Sequence, residues 1–271
     1  MISIITAVHN QLPMNQLFVQ RLREATFNNY ELIVIDNAST DGSADFFESI
    51  GATVIRNAVN YSYPHSQNQG ISKARYDWLA FLNNDIIVSA NWDQILIETM
   101  ITNNLEVATC CGVERLETPD ITRKFKRRWK LIRGIISILG TKKYHLQWMH
   151  KLMYPDWKGF CTHRNTQFHN NLIKGFVGNT VMIRRNALEK IGLWDERIQG
   201  ADFDLYLRTA VRARDFGDIK PVHIALDCFV HHYIRLTIKG GYPKFADQAN
   251  LISLDNKWSK TDLALLNDAV E

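Results

Sequence analysis

The sequence predicts an open α/β fold: a Rossmann-like, mostly parallel central sheet sandwiched between helices in three layers. Short, nearly continuous apolar runs recur at Ser3–Val8 (SIITAV), Glu31–Ile35 (ELIVI), Ala52–Asn57 (ATVIRN) and Trp78–Leu82 (WLAFL). Such runs mark strands covered on both faces. Segments with helical spacing separate them, and alternation of strands with helices requires right-handed crossovers and a parallel sheet. Three of the runs also stop abruptly at polar residues: His9-Asn10, Asp36-Asn37 and Asn83-Asn84-Asp85. Parallel strands gather those residues along one edge, where open α/β sheets bind ligands.

Taken in order, the first strand closes at His9-Asn10 and a Pro13 turn. Met14–Thr26 is expected to be a helix, because Leu17, Phe18, Arg21, Leu22 and Ala25 fall near one face. After the second strand, the run Asp36–Ser43 offers N-caps to a short helix near Ser43–Ile50. Pro64–Arg75 reads as the next helix, with Asn68, Gly70, Lys73 and Ala74 along it. In Trp78–Val88 the apolar run breaks at Asn83-Asn84-Asp85 and resumes as Ile86-Ile87-Val88. Trp92–Asn103 has a core stripe of Trp92, Ile95, Leu96, Thr99 and Met100, and Glu106–Val113 fits another strand.

At 271 residues and 46% hydrophobic, the chain can bury one large core or two closely packed halves. Its first residues read as a strand and lack the basic leader of a signal peptide. No stretch has the roughly 18 uninterrupted apolar residues of a membrane span. Four cysteines (Cys110, Cys111, Cys161, Cys228) contain no C-x-x-C, so neither a zinc site nor a disulfide framework is indicated. A cytoplasmic location is expected. The net charge of +4 is unevenly placed: residues 121–155 hold ten Lys/Arg and no Asp or Glu. Subtracting these ten from 32 leaves 22 basic against 28 acidic residues, an acidic body carrying one basic segment and hence a localised anionic partner. Within it, Lys124–Leu139 places Phe125, Trp129, Ile132, Ile135/Ile136 and Leu139 at helical spacing with cations around the turn. That is the pattern of a membrane-surface helix; a lid over a substrate, or a solvated helix packed on the core, fits as well. Nucleic acid is not an expected partner, since no recognition module accompanies the charge.

SIITAVHNQL, ELIVIDNASTDGS, QNQGISKA and FLNND, in this order over about 85 residues, resemble the family 2 glycosyltransferases of the GT-A fold. The resemblance implies a single GT-A domain: a nucleotide-sugar donor half (1–110), an acceptor half (111–240) containing the basic insert 121–155, and a C-terminal helix (241–271). It implies that the backbone around Ala7, His9 and Asn10, with the carboxylate of Asp36, holds the donor's base and ribose. Asn68 would lie near the nucleotide, Asn83 and Asn84 would contact the donor, and Asp85 would be the metal-binding member of the family's D-x-D element. Here that element has one carboxylate, Asn83-Asn84-Asp85.

The second half extends the resemblance. Phe176–Arg184 (FVGNTVMIR) resembles the family's acceptor-side strand, followed by a helix with Leu188 and Ile191. Gly200-Ala201-Asp202-Phe203-Asp204-Leu205 resembles the stretch holding Glu-Asp before x-Asp-Leu-x-x-Arg, which implies Asp202 as catalytic base, Ala201 in place of the usual Glu, and Asp204 and Arg208 on the next helix. Lys220–Val230 reads as a final strand ending in His231-His232; alignment favours His231 as a metal ligand, with His232 the alternative. Arg235, Thr237 and Lys239 on the following loop would meet the diphosphate, and Phe245–Ser259 resembles the closing helix.

These matches imply an inverting, Mn²⁺- or Mg²⁺-dependent hexosyl- or rhamnosyltransferase, using a nucleotide-diphosphate sugar such as a UDP-sugar. Its acceptor would be a hydroxyl of a glycan or lipid-linked glycan in cell-surface polysaccharide synthesis, with peripheral contact of 121–155 on an anionic membrane. Two other classes compete. A sugar-nucleotide nucleotidyltransferase would carry a Gly- and Lys/Arg-rich loop after its first strand, where this chain has AVHNQLP. A non-catalytic glycan- or membrane-binding relative would explain the single carboxylate of NND and the alanine at 201.

Overall fold

The computed structural model describes residues 1–234 and 244–270. Its strands are β1 (Ile2–Val8), β2 (Tyr30–Asn37), β3 (Thr53–Asn57), β4 (Trp78–Leu82), β5 (Ile86–Val88), β6 (Val107–Gly112), β7 (Leu172–Lys174), β8 (Thr180–Arg184) and β9 (His223–His232). The longer helices are α1 (Leu12–Ala25), α2 (Ser43–Ser49), α3 (Tyr63–Lys73), α4 (Trp92–Thr102), α5 (Pro119–Ile136), α6 (Lys143–Met153), α7 (Trp157–Gln167), α8 (Ala187–Ile191) and α9 (Ala201–Phe216). All nine strands join one sheet, ordered β3-β2-β1-β4-β8-β6-β9-β5, with β7 also paired to β9. Strands β1–β4, β6 and β9 run one way; β5, β7 and β8 oppose them. Both halves of the chain therefore build a single, mostly parallel sheet.

Side-chain alternation along the strands makes the three layers. Ile2 and Ile4 of β1, with Ala80 and Leu82 of β4, face a core shared with Phe18, Trp92 and Leu96. Ile5, Leu79 and Phe81 face the opposite core with Ile71, Trp194 and Leu205. The chain winds β1, β2, β3 in one direction and then returns to place β4 on the other side of β1. That reversal opens a crevice at the carboxyl ends of β1 and β4, the switch point where such sheets take ligands.

The run Ile86–Val88 is a strand of its own: the chain leaves β4 at Asn83 and crosses to pair β5 antiparallel with β9. One expectation changes. Where a single C-terminal helix is expected over 241–271, the described residues 244–270 form a series of short turns, with helices Leu254–Lys257, Lys260–Leu263 and Asn267–Val270. Each is only about one turn long, too short to hold itself without tertiary support; Asp204 supplies part of it, accepting from Lys257 Nζ (2.6 Å) and Trp258 Nε1 (2.9 Å).

The basic segment forms a hairpin. α5 starts earlier than the spacing indicates, at Pro119, because Thr118 caps it by accepting from Ile121 N at 3.3 Å and Pro suits the first helical turn. α6 follows, and the two helices bury Trp129, Ile136, Leu146, Met149 and Met153 against Phe229 and Tyr233 of the sheet side. No helix among the described residues is long and apolar enough to cross a membrane.

On the other face, α3 lies so close to β1 that a Cβ at Gly70 would stand 2.3 Å from Ile5 Cγ2. Only glycine permits this approach, and α3 carries Tyr63 into the crevice. Gly70→Ala should lower unfolding stability by about 1–3 kcal/mol, the usual penalty of overpacking. Urea titration monitored by circular dichroism checks it, the expected result being a lower midpoint at unchanged slope.

Candidate active site

The loops after β1 and β2 are pinned to one another before they meet any ligand. Asn10 N donates to Ser39 Oγ (2.7 Å), Thr40 N donates to Asn10 Oδ1 (2.8 Å), and His9 Nδ1 donates to the carbonyl of Asn37 (2.6 Å). Asn10, Gln11 and Ala38 adopt left-handed backbone conformations to make these turns. Asn84 is held from below, its amide donating to buried Asn15 at 2.6 Å. The result is a cavity of about 460 Å³ whose wall includes Ala7, His9, Asn83, Asn84, Asp85 and Tyr61. Asp36 is the last but one residue of β2, opposite Val8 of β1. It is buried, one oxygen accepts from Ser39 N at 3.1 Å, and the other has no partner. A buried carboxylate oxygen left unpaired is costly, so this position suits a ligand's N–H or O–H.

A second cavity of about 350 Å³ continues from the first, sharing Tyr63, Asn83 and Gln199 with it and adding Glu114, Trp194, Asp202 and His232. Asp202 stands in the first turn of α9, accepting from Phe203 N at 3.0 Å. Burial pushes its carboxyl above the ordinary aspartate value, against the opposing pull of that N–H. The same burial, with the charge of Asp202, raises the Tyr63 phenol, whose hydroxyl has no partner. Room for the carboxylate comes from Gly178, where a Cβ would fall 2.3 Å from Asp202 Oδ2.

The histidine that meets Asp85 is His232, not the expected His231. Adjacent strand residues point to opposite faces, and the pairing of Ile86 with His232 brings His232 to the residue beside Asp85. Its Nε2 lies 3.1 Å from Asp85 Oδ1, and its Nδ1 is hydrogen-bonded to Glu114. His231 turns into the hairpin core, fully buried, its ring 4.7 Å from Trp129 and its Nδ1 3.2 Å from the Tyr154 hydroxyl. Burial holds His231 well below the ordinary histidine value. Burial would depress His232 too, but Asp85 and Glu114 outweigh it and hold its imidazolium well above that value.

Two carboxylates thus stabilise positive charge at one spot in the cleft. Among the described residues no three His, Cys, Asp or Glu side chains converge as a metal cluster. Asp85 and His232 nevertheless fit a divalent cation as a pair, the cation taking the place of the Nε2 proton: 3.1 Å is the edge between adjacent ligands whose bonds are about 2.1–2.2 Å long. Glu114, taking the other ring N–H, is the partner that fixes a ligating imidazole's tautomer. The remaining ligands would be diphosphate oxygens and water.

Other expected residues are placed differently. Asn68 is consumed by the chain itself, donating to Trp194 O and Glu196 Oε1 (both 2.9 Å) while accepting from Trp194 N at 3.1 Å. It holds the Trp194 loop and does not line the first cavity, because α3 turns that face toward the segment between α8 and α9. Arg235, with Thr237, Lys239 and Gly240-Gly241, lies outside the described residues. Of the residues that sequence reasoning missed, Glu114 carried a usable signal, a carboxylate just past the end of a strand. Tyr63 and Gln199 carried none.

Replacing His232 with Ala should abolish Mn²⁺-dependent binding of a nucleoside diphosphate, whereas His231→Ala should leave that dependence intact and lower stability by about 2–4 kcal/mol through a core cavity. Glu114→Gln should weaken cation affinity by roughly 10–100-fold. Titration calorimetry with and without Mn²⁺, beside urea unfolding, separates the three outcomes.

The comparisons with known proteins give the fold and the family. The family model described as "Glycosyl transferase family 2" matches residues 3–192, from β1 through α8; Asp202 and His232 lie beyond the match. An uncharacterized glycosyltransferase of Haemophilus influenzae is 33% identical over 86 residues, 31% of this chain and 29% of that protein. The uncharacterized glycosyltransferase EpsJ of Bacillus subtilis is 26% identical over 114 residues, 41% of this chain and 33% of its own length. The matches therefore span about a third or less of these two relatives. Among solved structures, GalNAc-T7 with UDP, GalNAc and Mn²⁺ superposes with a TM-score of 0.57 at 14% identity, covering 90% of this chain and 45% of that one. A mannosyltransferase of Pyrobaculum calidifontis in complex with GDP-Man and Mn²⁺ gives 0.50 at 15%, covering 83% and 56%. The likeness in structure establishes the GT-A fold, and the family match over residues 3–192 establishes the lineage: the chain belongs to glycosyl transferase family 2.

Proposed function

We propose that the protein is an inverting, metal-dependent hexosyl- or rhamnosyltransferase that moves a sugar from a nucleotide-diphosphate sugar, in our reading a UDP-sugar, to a hydroxyl of a glycan or lipid-linked glycan. Cell-surface polysaccharide assembly is the setting this acceptor class suggests. The observation that carries the reading is one continuous cleft with the Asp85–His232 pair and the half-buried carboxylate of Asp202 both in its walls. Family membership and the Mn²⁺-bound neighbours support it.

In this reading the base and ribose occupy the cavity over Ala7 and His9, and the unpartnered oxygen of Asp36 takes a donor hydrogen. Asp85 and His232 hold Mn²⁺ or Mg²⁺, whose chemistry when bound is to offset charge on the departing diphosphate. The amide of Asn83, shared by both cavities, orients the donor sugar or ribose. Asp202 accepts the proton of the acceptor hydroxyl as the new bond forms, a general-base role typically worth 10²–10⁴ in rate. Inversion requires the acceptor to attack opposite the leaving group, and a base on the second cavity's wall suits that direction.

A base must be ionised to work, and the carboxyl of Asp202 is raised by burial. The rate should therefore fall as pH drops through an acidic limb lying above the ordinary aspartate value of 3.8. Nucleotide release from a donor panel with Mn²⁺ and glycan acceptors tests both points. Asp202→Asn should lose at least ~10²-fold in kcat while still binding nucleotide, and Asp85→Ala should lose metal-dependent binding. No turnover with any donor, together with no metal-dependent binding of UDP or dTDP, would sink the enzyme reading.

A further inference from the structure

Single exposed apolar residues are ordinary, but here they are concentrated. Seven of the fourteen exposed large apolar side chains among the described residues fall between 131 and 152, on α5, α6 and the turn joining them. Leu131, Ile135, Ile138, Leu139, Tyr144 and Trp148 are 48–82% exposed. On α5 and into the turn after it, the spacing of Leu131, Ile135 and Ile138 continues the line of Lys124 and Arg127/Arg128, so apolar and cationic residues share an outward stripe. On α6, Tyr144 and Trp148 are one turn apart. Arg128 Nη2 donates to Leu152 O at 2.9 Å, tying the helices together at the far end from the turn. Of the ten cations of this segment, Arg123 alone is paired with a carboxylate among the described residues.

The inner face of the hairpin is fully employed, with Trp129 and Arg133 both donating to Ile234 O (3.4 and 2.9 Å) and Tyr233 to Leu146 O (2.8 Å). Among the described residues nothing covers the outer face, whose large apolar side chains stay exposed. Apolar residues flanked by unpaired cations match a surface that is apolar inside and anionic at its boundary. A nucleic acid would use the cations and leave the exposed isoleucines unexplained, and an apolar protein groove would leave the cations unexplained.

We propose that the α5–α6 hairpin is a docking surface for an anionic lipid bilayer, its apolar edge entering the headgroup layer and its cations meeting lipid phosphates. The geometry is that of an interfacial helix, seated roughly 5–10 Å into the boundary. Because the inner face packs on β9, the strand bearing His232, the bilayer would lie about one helix diameter, roughly 10–12 Å, from that strand. A headgroup-linked acceptor would then be presented near the cleft. The docking claim stands apart from the catalytic one, since it is read without donor, metal or acceptor.

The test is co-sedimentation of the full chain with vesicles of phosphatidylcholine alone and with added phosphatidylglycerol, at low and high salt. Binding should require phosphatidylglycerol and weaken with salt. Lys124→Gln, Arg127→Gln and Lys130→Gln together should reduce it by roughly 100-fold, at about 5-fold per cation. Ile138→Ser with Trp148→Ser should reduce it at least ~10-fold with unchanged far-ultraviolet circular dichroism, because both positions are exposed. The proposal is overturned by absence of sedimentation, by equal binding to neutral vesicles, or by apolar variants that bind like wild type. A dimer in analytical ultracentrifugation that the serine variants dissociate, without vesicle binding, would reassign the face to a second copy of the chain.

Discussion

The pleat of β9 is the constraint on which the rest of the molecule turns. Two neighbouring histidines at its end must face opposite sides, and each side is already committed to a different task. His232 enters the cleft, where Asp85 and Glu114 hold a positive charge. His231 enters an apolar pocket of Trp129, Tyr154 and Tyr233, where charge is excluded. Exchanging the two faces would bury an imidazolium among aromatics and leave two carboxylates facing one another. The antiparallel pairing of β5 with β9 sets which histidine goes where, and the same strand seats the basic hairpin. Cleft and hairpin are thereby mechanically joined.

The cleft concentrates acids that would repel one another in an unpartnered site, and each is handled differently. Asp85 and Glu114 share the proton-bearing ring of His232. Asp202 is carried into a half-buried position by the glycine at 178 and has its charged form disfavoured by burial. Asp204, two residues further along α9, is neutralised outright by Arg208 at 2.9 Å and Lys257 at 2.6 Å. Two aspartates in one helical turn thus take separate roles. Asp204 anchors the C-terminal segment to α9, and Asp202 keeps one oxygen directed at Gly178 and the cleft.

The polar loops around the donor-side cavity are largely satisfied by their own side chains. His9, Asn10, Asn15, Asn84 and Ser39 bond one another, and what remains unpaired is confined to a few atoms. The orphan oxygen of Asp36 and the hydroxyl of Tyr63 are the most telling of these. Rigid loops with a small number of open polar atoms are the arrangement expected where a ligand must be oriented by few contacts on a preformed wall.

The amino-acid sequence by itself determined the layers, the parallel N-terminal half, the polar residues at its strand ends, and the basic segment. All of these depend on local periodicity or on the character of a few consecutive residues. SIITAV and ELIVI are strands because both faces are apolar, and Asp36 and Asp85 are candidates because they terminate such runs. Tertiary structure alone decided between His231 and His232, because that choice rests on register with a strand more than 140 positions away. It also committed Asn68 to the Trp194 loop, and broke the expected closing helix into single turns. Tyr63, Glu114 and Gln199 joined the site only when distant elements met. Spacing along a chain reports which face a residue shares with its neighbours; what stands opposite that face is set by packing between segments far apart in sequence.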